Sequence, residues 1–328
     1  MKAFVLRSYC SPDHLDLTET AQPVPADDEV LVRVRATSVN PYDWHFIRGE
    51  PFVARLMPGG LGMRGPKLSI LGCDMAGQVA AVGRDVTQFA PGDEVFALLP
   101  GGGFGEYVTV TEDLLARKPG PLSFEQAAAV PMAAVTALVG LRDQGRIQSG
   151  QEVLINGASG GVGTFAVQIA RALGATVTGV CSSQHADLVR SIGADEVIDY
   201  GKQDFTRSGK RYDLMLDVAG SRSPWACRRV LTAGGTQVLV GGPAGRWLQP
   251  AGHVFAALAM APLVPQRIAL ADAVSCTVKK QILMTLTTFI EDGTVTPVIS
   301  RTYPFHDIRE AIRYQERGHV PGKVVVTI

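Results

Sequence analysis

The sequence predicts an α/β protein in which a doubly wound parallel sheet is joined to a β-rich domain. After Gly150, short apolar runs alternate with amphipathic segments, which is the pattern that βαβ units produce. The first 120 residues differ, because their short strand-like segments are separated by Gly and Pro turns. A chain of 328 residues has room for about two domains of roughly 150 residues each.

The β-rich part contains three strand candidates. Val30–Ala36 alternates apolar and polar side chains, as a half-buried strand does. Gln78–Val82 is a second candidate, and a Pro-Gly-Asp turn precedes the third, the apolar run Glu94–Leu99. The tail, Val298–Ile328, returns to strand-like patterning, and we expect it to rejoin this first domain.

The second part predicts alternating helices and strands. Phe124–Leu141 is Ala-rich and helical in character, with a break at Pro131. Further helices are predicted at Val162–Leu173, Ala186–Ile192 and Lys279–Glu291. Strands are predicted at Glu152–Asn156, Thr176–Cys181, Glu196–Asp199, Tyr212–Asp217, Thr236–Val240 and Ala273–Thr277.

Composition excludes several functional classes. Lys plus Arg equals Asp plus Glu, 31 against 31, so no overall field attracts nucleic acid or an anionic membrane. Five scattered cysteines without a Cys-x-x-Cys pair indicate reduced thiols and a cytoplasmic location. The apolar segment Val254–Ala271 contains two prolines and Arg267, and it lacks the roughly 20 uninterrupted apolar residues of a membrane span. A buried helix, a pocket lid and a subunit contact all remain open for it.

The strongest chemical signal is a glycine-rich turn between a predicted strand and a predicted helix. The turn reads Ala158-Ser159-Gly160-Gly161-Val162-Gly163. Gly160 allows the backbone to approach a pyrophosphate, and Gly163 allows the helix to pack closely on its strand. The N–H groups of the first helical turn would then meet the phosphates. We therefore predict a dinucleotide site formed by Ser159, Gly160, Gly161 and Val162.

The end of the next strand favours NADPH over NADH. NAD-binding proteins usually place Asp or Glu roughly 20 residues after the glycines, where it binds the ribose 2′-OH. Ser182 and Ser183 stand there instead, and they can donate to a 2′-phosphate, as can Tyr200 after the third strand. The usual Arg or Lys is missing from this loop, and Lys202 and Arg190 are the possible substitutes.

The chain resembles the zinc-free quinone oxidoreductase branch of the medium-chain dehydrogenase/reductase superfamily. The resemblance covers essentially the whole chain and is specific for fold and cofactor rather than for substrate. Besides the glycine turn, its markers are SVNPYDW (Ser38–Trp44), LGCDMAGQVAAVG (Leu71–Gly83), PGDEVF, GGFGEYV, AAAVPMAAVTAL, LGAT, IGADEVIDY and the terminal GHVPGKVVVTI.

The resemblance implies a GroES-like catalytic domain, residues 1–125 and 277–328, around a Rossmann domain, residues 126–276, with the cofactor in the cleft between them. It places Asn40 near the nicotinamide ribose and the acceptor, where its amide can donate to an acceptor oxygen. Tyr42 and Trp44 would form an aromatic wall, although core packing explains either equally well. Asp43 is expected to fix the loop rather than to transfer protons, because nothing in the sequence raises its pKa.

Four further residues are implied near the cofactor. Thr136 resembles a family residue close to the nicotinamide, and Gly241 and Gly242 allow the backbone to approach that ring. Lys323 resembles a family position that reaches the cofactor. Helix polarity, turn geometry and a solvated lysine are the alternative explanations.

Zinc is the main departure from the zinc-containing relatives. Asn40 stands at the position of their first catalytic ligand, and Cys73-Asp74 stands where they have His-Glu. The lobe with four closely spaced cysteines is also absent. A single thiol cannot supply the three or four ligands that zinc requires, so we predict no metal.

These features predict a zinc-free oxidoreductase that transfers hydride from NADPH to a quinone or similar electron-poor carbonyl acceptor. Without a Lewis acid, oxidation of an alcohol is difficult, whereas an electron-poor acceptor needs less assistance. Two alternatives remain open: an enoyl or 2-alkenal reductase acting on α,β-unsaturated carbonyls, and a catalytically silent NADPH-binding redox sensor. The expected partner is a small-molecule acceptor, with no nucleic acid and no membrane span, and a homodimer is one candidate assembly.

Overall fold

A computed structural model describes residues 1–56, 61–63, 65–242, 245–273 and 278–328. The chain divides into two units. Unit 1 comprises Met1–Met132, Cys276–Glu291 and Pro297–Ile328, and unit 2 comprises Ala133–Ser275 and Asp292–Thr296. Among the described residues, no helix has both the length and the apolar character needed to cross a bilayer.

The regular elements are these. The strands are β1 (Lys2–Val5), β2 (Asp16–Glu19), β3 (Glu29–Val39), β4 (Asp74–Val82), β5 (Glu94–Leu98), β6 (Tyr107–Thr111), β7 (Leu115–Arg117), β8 (Glu152–Asn156), β9 (Thr176–Cys181), β10 (Glu196–Asp199), β11 (Tyr212–Asp217), β12 (Leu231–Leu239), β13 (Arg267–Leu270), β14 (Ile299–Pro304) and β15 (Lys323–Thr327). The helices are α1 (Pro41–Arg48), α2 (Phe124–Ala128), α3 (Pro131–Leu138), α4 (Gly161–Ala172), α5 (Ala186–Ser191), α6 (Pro224–Cys227), α7 (Ala251–Met260), α8 (Lys279–Glu291) and α9 (Ile308–Glu316).

Unit 1 is organised around a seven-stranded sheet. Its order is β14-β15-β3-β4-β5-β7, and β6 also pairs with β3. The alternation predicted at Val30–Ala36 is confirmed, because Val30, Val32 and Val34 are buried in the core whereas Arg33 is exposed. The strand continues to Val39 and thereby delivers Ser38 and Asn40 to the end of the sheet. The terminal strand β15 pairs antiparallel with β3, so the tail rejoins this unit as expected.

Unit 2 contains a six-stranded sheet in which every pairing is parallel, with the order β10-β9-β8-β11-β12-β13. The chain places β9 and β10 on one side of β8, and β11 to β13 on the other. This reversal is the topological switch point at which α/β sheets bind ligands, beyond the carboxyl ends of the strands. The predicted doubly wound parallel sheet is confirmed.

Two elements differ from the prediction. The sixth parallel strand is β13, inside the apolar segment 254–271, where α7 ends at Met260. The strand predicted at Ala273–Thr277 starts at a residue outside any strand, and its residues 274–277 lie outside the described part of the chain. Because the helix and the strand in this segment are both apolar, no change in hydrophobic periodicity marks the boundary between them. The tail also contains α9, whose buried Ile308, Ala311 and Ile312 have helical spacing.

The unit boundaries also differ from those predicted. Residues 126–132 belong to unit 1, because α2 packs against β3 and β4. Residues 292–296 belong to unit 2, where the Gln168 amide donates to the Thr296 carbonyl and accepts from its N–H. The predicted break at Pro131 is confirmed, since α3 begins there, at a position where proline fits without loss of a hydrogen bond.

Candidate functional site

The glycine turn of unit 2 joins β8 to α4. A Cβ at Gly163 would overlap the carbonyl oxygen of Gly157, so this position requires glycine for packing. A Cβ at Gly160 would meet only one atom within 4 Å, the same carbonyl oxygen at 3.5 Å. Gly160 is therefore free of packing constraints, and the space beside it is open to a ligand.

The N-terminus of α4 offers unpaired donors at this turn. Gly160 is the N-cap, it has no side chain to cap the helix, and α4 is 12 residues long. The first-turn N–H groups have no intrahelical acceptor, and the positive end of the helix dipole lies with them. Ser159, Gly160, Gly161 and Val162 are all partly exposed, so an anion can reach them. This cradle fits the pyrophosphate of a dinucleotide.

The predicted ribose-binding residues lie where β9 and β10 end. Ser182 precedes a short 3₁₀ turn that begins at Ser183, and both side chains reach solvent. The Tyr200 N–H donates to the Cys181 carbonyl at 3.1 Å, which brings the two strand ends together. Ser182, Ser183 and Tyr200 thus stand at neighbouring strand ends on one edge of the sheet.

One carboxylate near this edge was missed by the sequence reasoning. Asp199 is the register partner of Cys181 on the neighbouring strand. Counting along the chain from the glycines could not find it, because it lies on the third strand rather than the second. The Lys202 ammonium is 3.6 Å from Asp199, and the Arg190 guanidinium is 2.9 Å from Asp187. Each cation considered for a 2′-phosphate therefore has a carboxylate partner already.

A buried polar network supports the switch point. Asp217, fully buried at the end of β11, accepts from the Asn156 amide at 2.7 Å and from the Gly220 N–H at 3.0 Å. Its backbone carbonyl accepts from the Val240 N–H at 3.0 Å. Since Asn156 ends β8 and Val240 follows β12, Asp217 connects the loops after three strands. In the sequence, the only signal for this network is the string Asp-Val-Ala-Gly at the end of the predicted strand.

The remaining predicted residues of unit 2 have structural explanations. A Cβ at Gly241 would lie 2.6 Å from the Val218 carbonyl oxygen, and one at Gly242 would lie 2.9 Å from Pro250. Close backbone packing therefore requires both glycines. Thr136 is buried in α3. Proximity of these three residues to a nicotinamide ring stays a prediction.

In unit 1, Asp74 is the centre of a buried charged cluster. Its Oδ2 accepts from Ser38 Oγ, from Asn40 Nδ2 at 2.9 Å and from Lys323 Nζ at 3.2 Å, and its Oδ1 accepts from the Met132 N–H at 2.6 Å. Lys323 also donates to Asn40 Oδ1. Lys323 is 3% exposed, so the alternative of a solvated lysine is wrong. Asn40 and Lys323, 283 positions apart, are brought together by the pairing of β15 with β3.

Asn40 has little hydrogen-bonding capacity left. Its amide oxygen accepts from Lys323, and one amide hydrogen is directed at Asp74. The other interaction of Nδ2, with the Ser38 carbonyl, is long at 3.5 Å. The amide is thus held in one orientation with one weakly used hydrogen.

Asp43 fixes the loop, as expected, but its pKa does not stay ordinary. Its carboxylate accepts from the Asn40 N–H at 2.7 Å and from the Gly72 N–H at 3.3 Å. Burial raises the pKa of Asp43 to about 7, and repulsion from Asp74 acts in the same direction. This rise in pKa could not be predicted from the sequence, because burial and the charge of Asp74 both arise from the tertiary structure. Tyr42 packs on Phe46, with ring centroids 4.2 Å apart, and Trp44 stacks on His45.

The donor set around Asp74 does not fit a catalytic zinc ion. Burial raises the pKa of the Cys73 thiol well above its usual range, which disfavours the thiolate that zinc binds. Both Asp74 oxygens already accept from protein donors, one of them the Lys323 ammonium. Within the described residues, no group of three or more His, Cys, Asp or Glu side chains could hold a metal.

Known proteins resemble the chain along its full length. The family model described as "Alcohol dehydrogenase GroES-like domain" matches residues 26–120, and the one described as "Zinc-binding dehydrogenase" matches residues 192–326. The mitochondrial NAD(P)H oxidoreductase RTN4IP1 of Mus musculus is 35% identical, over 100% of this chain and 89% of that protein.

Two solved structures add detail to the likeness. The quinone oxidoreductase from Coxiella burnetii superposes with a TM-score of 0.85 and 28% identity, covering 100% of this chain and 99% of that one. The CurK enoyl reductase has a TM-score of 0.85 and 26% identity, with coverage of 99% and 98%. Proteins that share this fold therefore carry names for two different acceptor classes.

Proposed function

Because the chain belongs to the medium-chain dehydrogenase/reductase superfamily, in its quinone oxidoreductase-like branch, we propose that it transfers hydride from NADPH to a quinone or similar electron-poor carbonyl acceptor. The family uses a nicotinamide cofactor and acts on small molecules. The observation that carries the proposal is the turn at Gly160, an open cradle at an uncapped helix N-terminus. A cytoplasmic location stays a prediction, and the mouse relative is named mitochondrial.

The choice of NADPH rests on the residues after β9. Ser182 and Ser183 can donate to a 2′-phosphate, and no carboxylate stands at those two positions. Asp199 acts against this preference, because it ends the neighbouring strand. Its charge is partly offset by Lys202 at 3.6 Å, and its Oδ1 accepts from the Gly201 N–H at 2.9 Å. We therefore propose a preference for NADPH that is modest in size.

The hydrogen bonds that the Asp74 carboxylate already accepts support independence from zinc. Four donors of the chain already bind this carboxylate, and the Lys323 ammonium supplies a positive charge there. Without a Lewis acid, the acceptor must already be electron-poor, as a quinone is.

The chemical step needs little from the protein beyond positioning. The bound nicotinamide supplies the hydride, and the chain orients the acceptor and excludes water. Asn40 and Tyr42 are the proposed catalytic residues. The weakly used amide hydrogen of Asn40 is the one that can donate to the acceptor oxygen, while Lys323 and Asp74 hold the amide in place. Thr136, Gly241 and Gly242 are proposed neighbours of the nicotinamide.

Parallel assays test the proposal. The purified protein is given NADPH or NADH with 1,4-benzoquinone, and separately with an unsaturated aldehyde such as 2-hexenal. We expect the highest kcat/KM for NADPH with the quinone. A higher kcat/KM for NADH would refute the cofactor assignment.

A second candidate, reduction of α,β-unsaturated carbonyls, is favoured by the likeness to the CurK enoyl reductase. Turnover of the aldehyde but not the quinone would establish it in place of quinone reduction. Tight NADPH binding without turnover of any acceptor would instead indicate a redox sensor.

A further inference from the structure

A small pocket on unit 1 is rich in arginine. It lies between β14 and α9 and has a volume of about 180 Å³. Its lining residues are Arg301, Tyr303, Glu310, Arg313, Tyr314 and Arg317. Three guanidinium groups line it together with a single carboxylate, so the pocket favours a negatively charged ligand.

The guanidinium group of Arg301 packs on aromatic rings and keeps N–H donors available for a ligand. Its guanidinium carbon lies 4.8 Å from the ring centroid of Tyr303 and 5.9 Å from that of Tyr314. Stacking on an aromatic face fixes the plane of a guanidinium and leaves its N–H edges free to donate in pairs to an oxyanion. Of the residues that the structure describes, no carboxylate comes within ion-pair distance of Arg301 or Arg317.

Arg313 and the tyrosines complete the pocket. Arg313 is held by Asp13 at 3.2 Å and by Glu310 at 3.8 Å. Burial raises the pKa of Tyr303, and the charges of Arg301 and Arg317 both act on it in the opposite direction. Arg301, Arg317 and Tyr303 all line this one pocket. The Tyr314 hydroxyl lies 3.3 Å from Ser300 Oγ, and either of the two can donate. When Ser300 donates, the hydrogen of Tyr314 is available to a ligand as a second neutral donor.

We propose that this pocket binds a phosphate-type dianion, either free phosphate or the phosphate group of a small phosphomonoester. Arg301 and Arg317 donate charge-assisted hydrogen bonds to its oxygens, and the tyrosine hydroxyls donate to the remaining lone pairs. The charged residues that line the pocket are three arginines and Glu310, a net charge of +2 that matches a dianion, and Asp13 contacts Arg313 from outside the lining. None of these residues belongs to the proposed dinucleotide site, so the inference is independent of the proposed function.

Calorimetric titration of the nucleotide-free protein tests the proposal. Inorganic phosphate and phenyl phosphate are titrated separately at constant ionic strength. We expect one saturable site per chain, weakened at least about tenfold by Arg301→Gln and by Arg317→Gln. Arg229→Gln, at an exposed arginine of unit 2, is the matched control and should bind as the parent does. Tighter binding of phenyl phosphate identifies the phosphomonoester as the ligand class, and equal or weaker binding identifies free phosphate.

Three results would overturn the proposal. They are the absence of saturable binding, binding by Arg301→Gln and Arg317→Gln that is as tight as that of the parent, and loss of phosphate binding in Gly160→Val. The last would show that phosphate occupies the glycine turn instead. Circular dichroism and urea unfolding of each variant establish that the fold is intact.

Discussion

The buried pair of Lys323 and Asp74 makes a strong prediction about stability. In Lys323→Met the aliphatic volume stays, but the ammonium that balances the Asp74 charge is removed. Asp74 is fully buried and, among the described residues, keeps Ser38, Asn40 and the Met132 N–H as donors. Breaking a buried ion pair by removing one partner typically costs about 3–5 kcal/mol. Three donors remain, so we expect the lower end of this range.

Urea unfolding at neutral pH measures the decrease in the free energy of unfolding of Lys323→Met. Asp74→Asn should also destabilise, because it leaves the ammonium uncompensated. The double variant should lose less than the sum of the two single losses, because neither charge is then unpaired. Lys202→Met is the matched control: its side chain is 79% exposed and 3.6 Å from Asp199, so its free energy of unfolding should change by less than about 1 kcal/mol. A loss in Lys323→Met as small as in this control would refute the reasoning.

Three further predictions concern single residues. The pKa of Asp43 is raised to about 7 in the folded protein, so the folded state keeps this proton at pH values at which the unfolded chain has lost it. The resulting contribution to the free energy of unfolding is present at low pH and is lost as pH rises from about 4 through 7. The stability difference between the parent and Asp43→Asn should therefore shrink over that interval in urea titrations; a constant difference would contradict the raised pKa. Ser182→Asp should shift kcat/KM toward NADH, because a carboxylate repels the 2′-phosphate; an unchanged ratio would contradict the placement of the ribose. Asn40→Ala should raise the activation free energy of hydride transfer to a quinone by less than about 2.7–4 kcal/mol, the cost of removing one donor from an oxyanion hole. The affinity for NADPH should stay nearly unchanged. Single-turnover rates equal to the parent's would exclude the catalytic role.

The sequence predicted local features that depend on period and turn chemistry. The alternation in β3 and the glycine turn before α4 both encode their geometry within a few neighbouring residues. The sixth strand, β13, was not predicted, because apolar residues on both sides conceal its limits.

Long-range interactions account for what the sequence could not predict at the site. Lys323 lies 283 positions from Asn40, and only the pairing of β15 with β3 brings them together. The carboxylate of Asp199 lies beside the second strand through sheet register, which a count along the chain does not reveal. The raised pKa of Asp43 likewise depends on tertiary burial.

The dissociation constant of NADPH for Gly160→Val tests most directly the claim that the dinucleotide binds at the glycine turn. Within the protein, a Cβ at Gly160 meets only one carbonyl oxygen, at 3.5 Å, so the fold should persist. Gly234→Val is the control, since a Cβ at that exposed position of the same unit meets nothing within 4 Å. Fluorescence titration should show binding weakened at least about tenfold in Gly160→Val and unchanged in Gly234→Val. A folded Gly160→Val variant that binds NADPH as tightly as the parent would contradict the account.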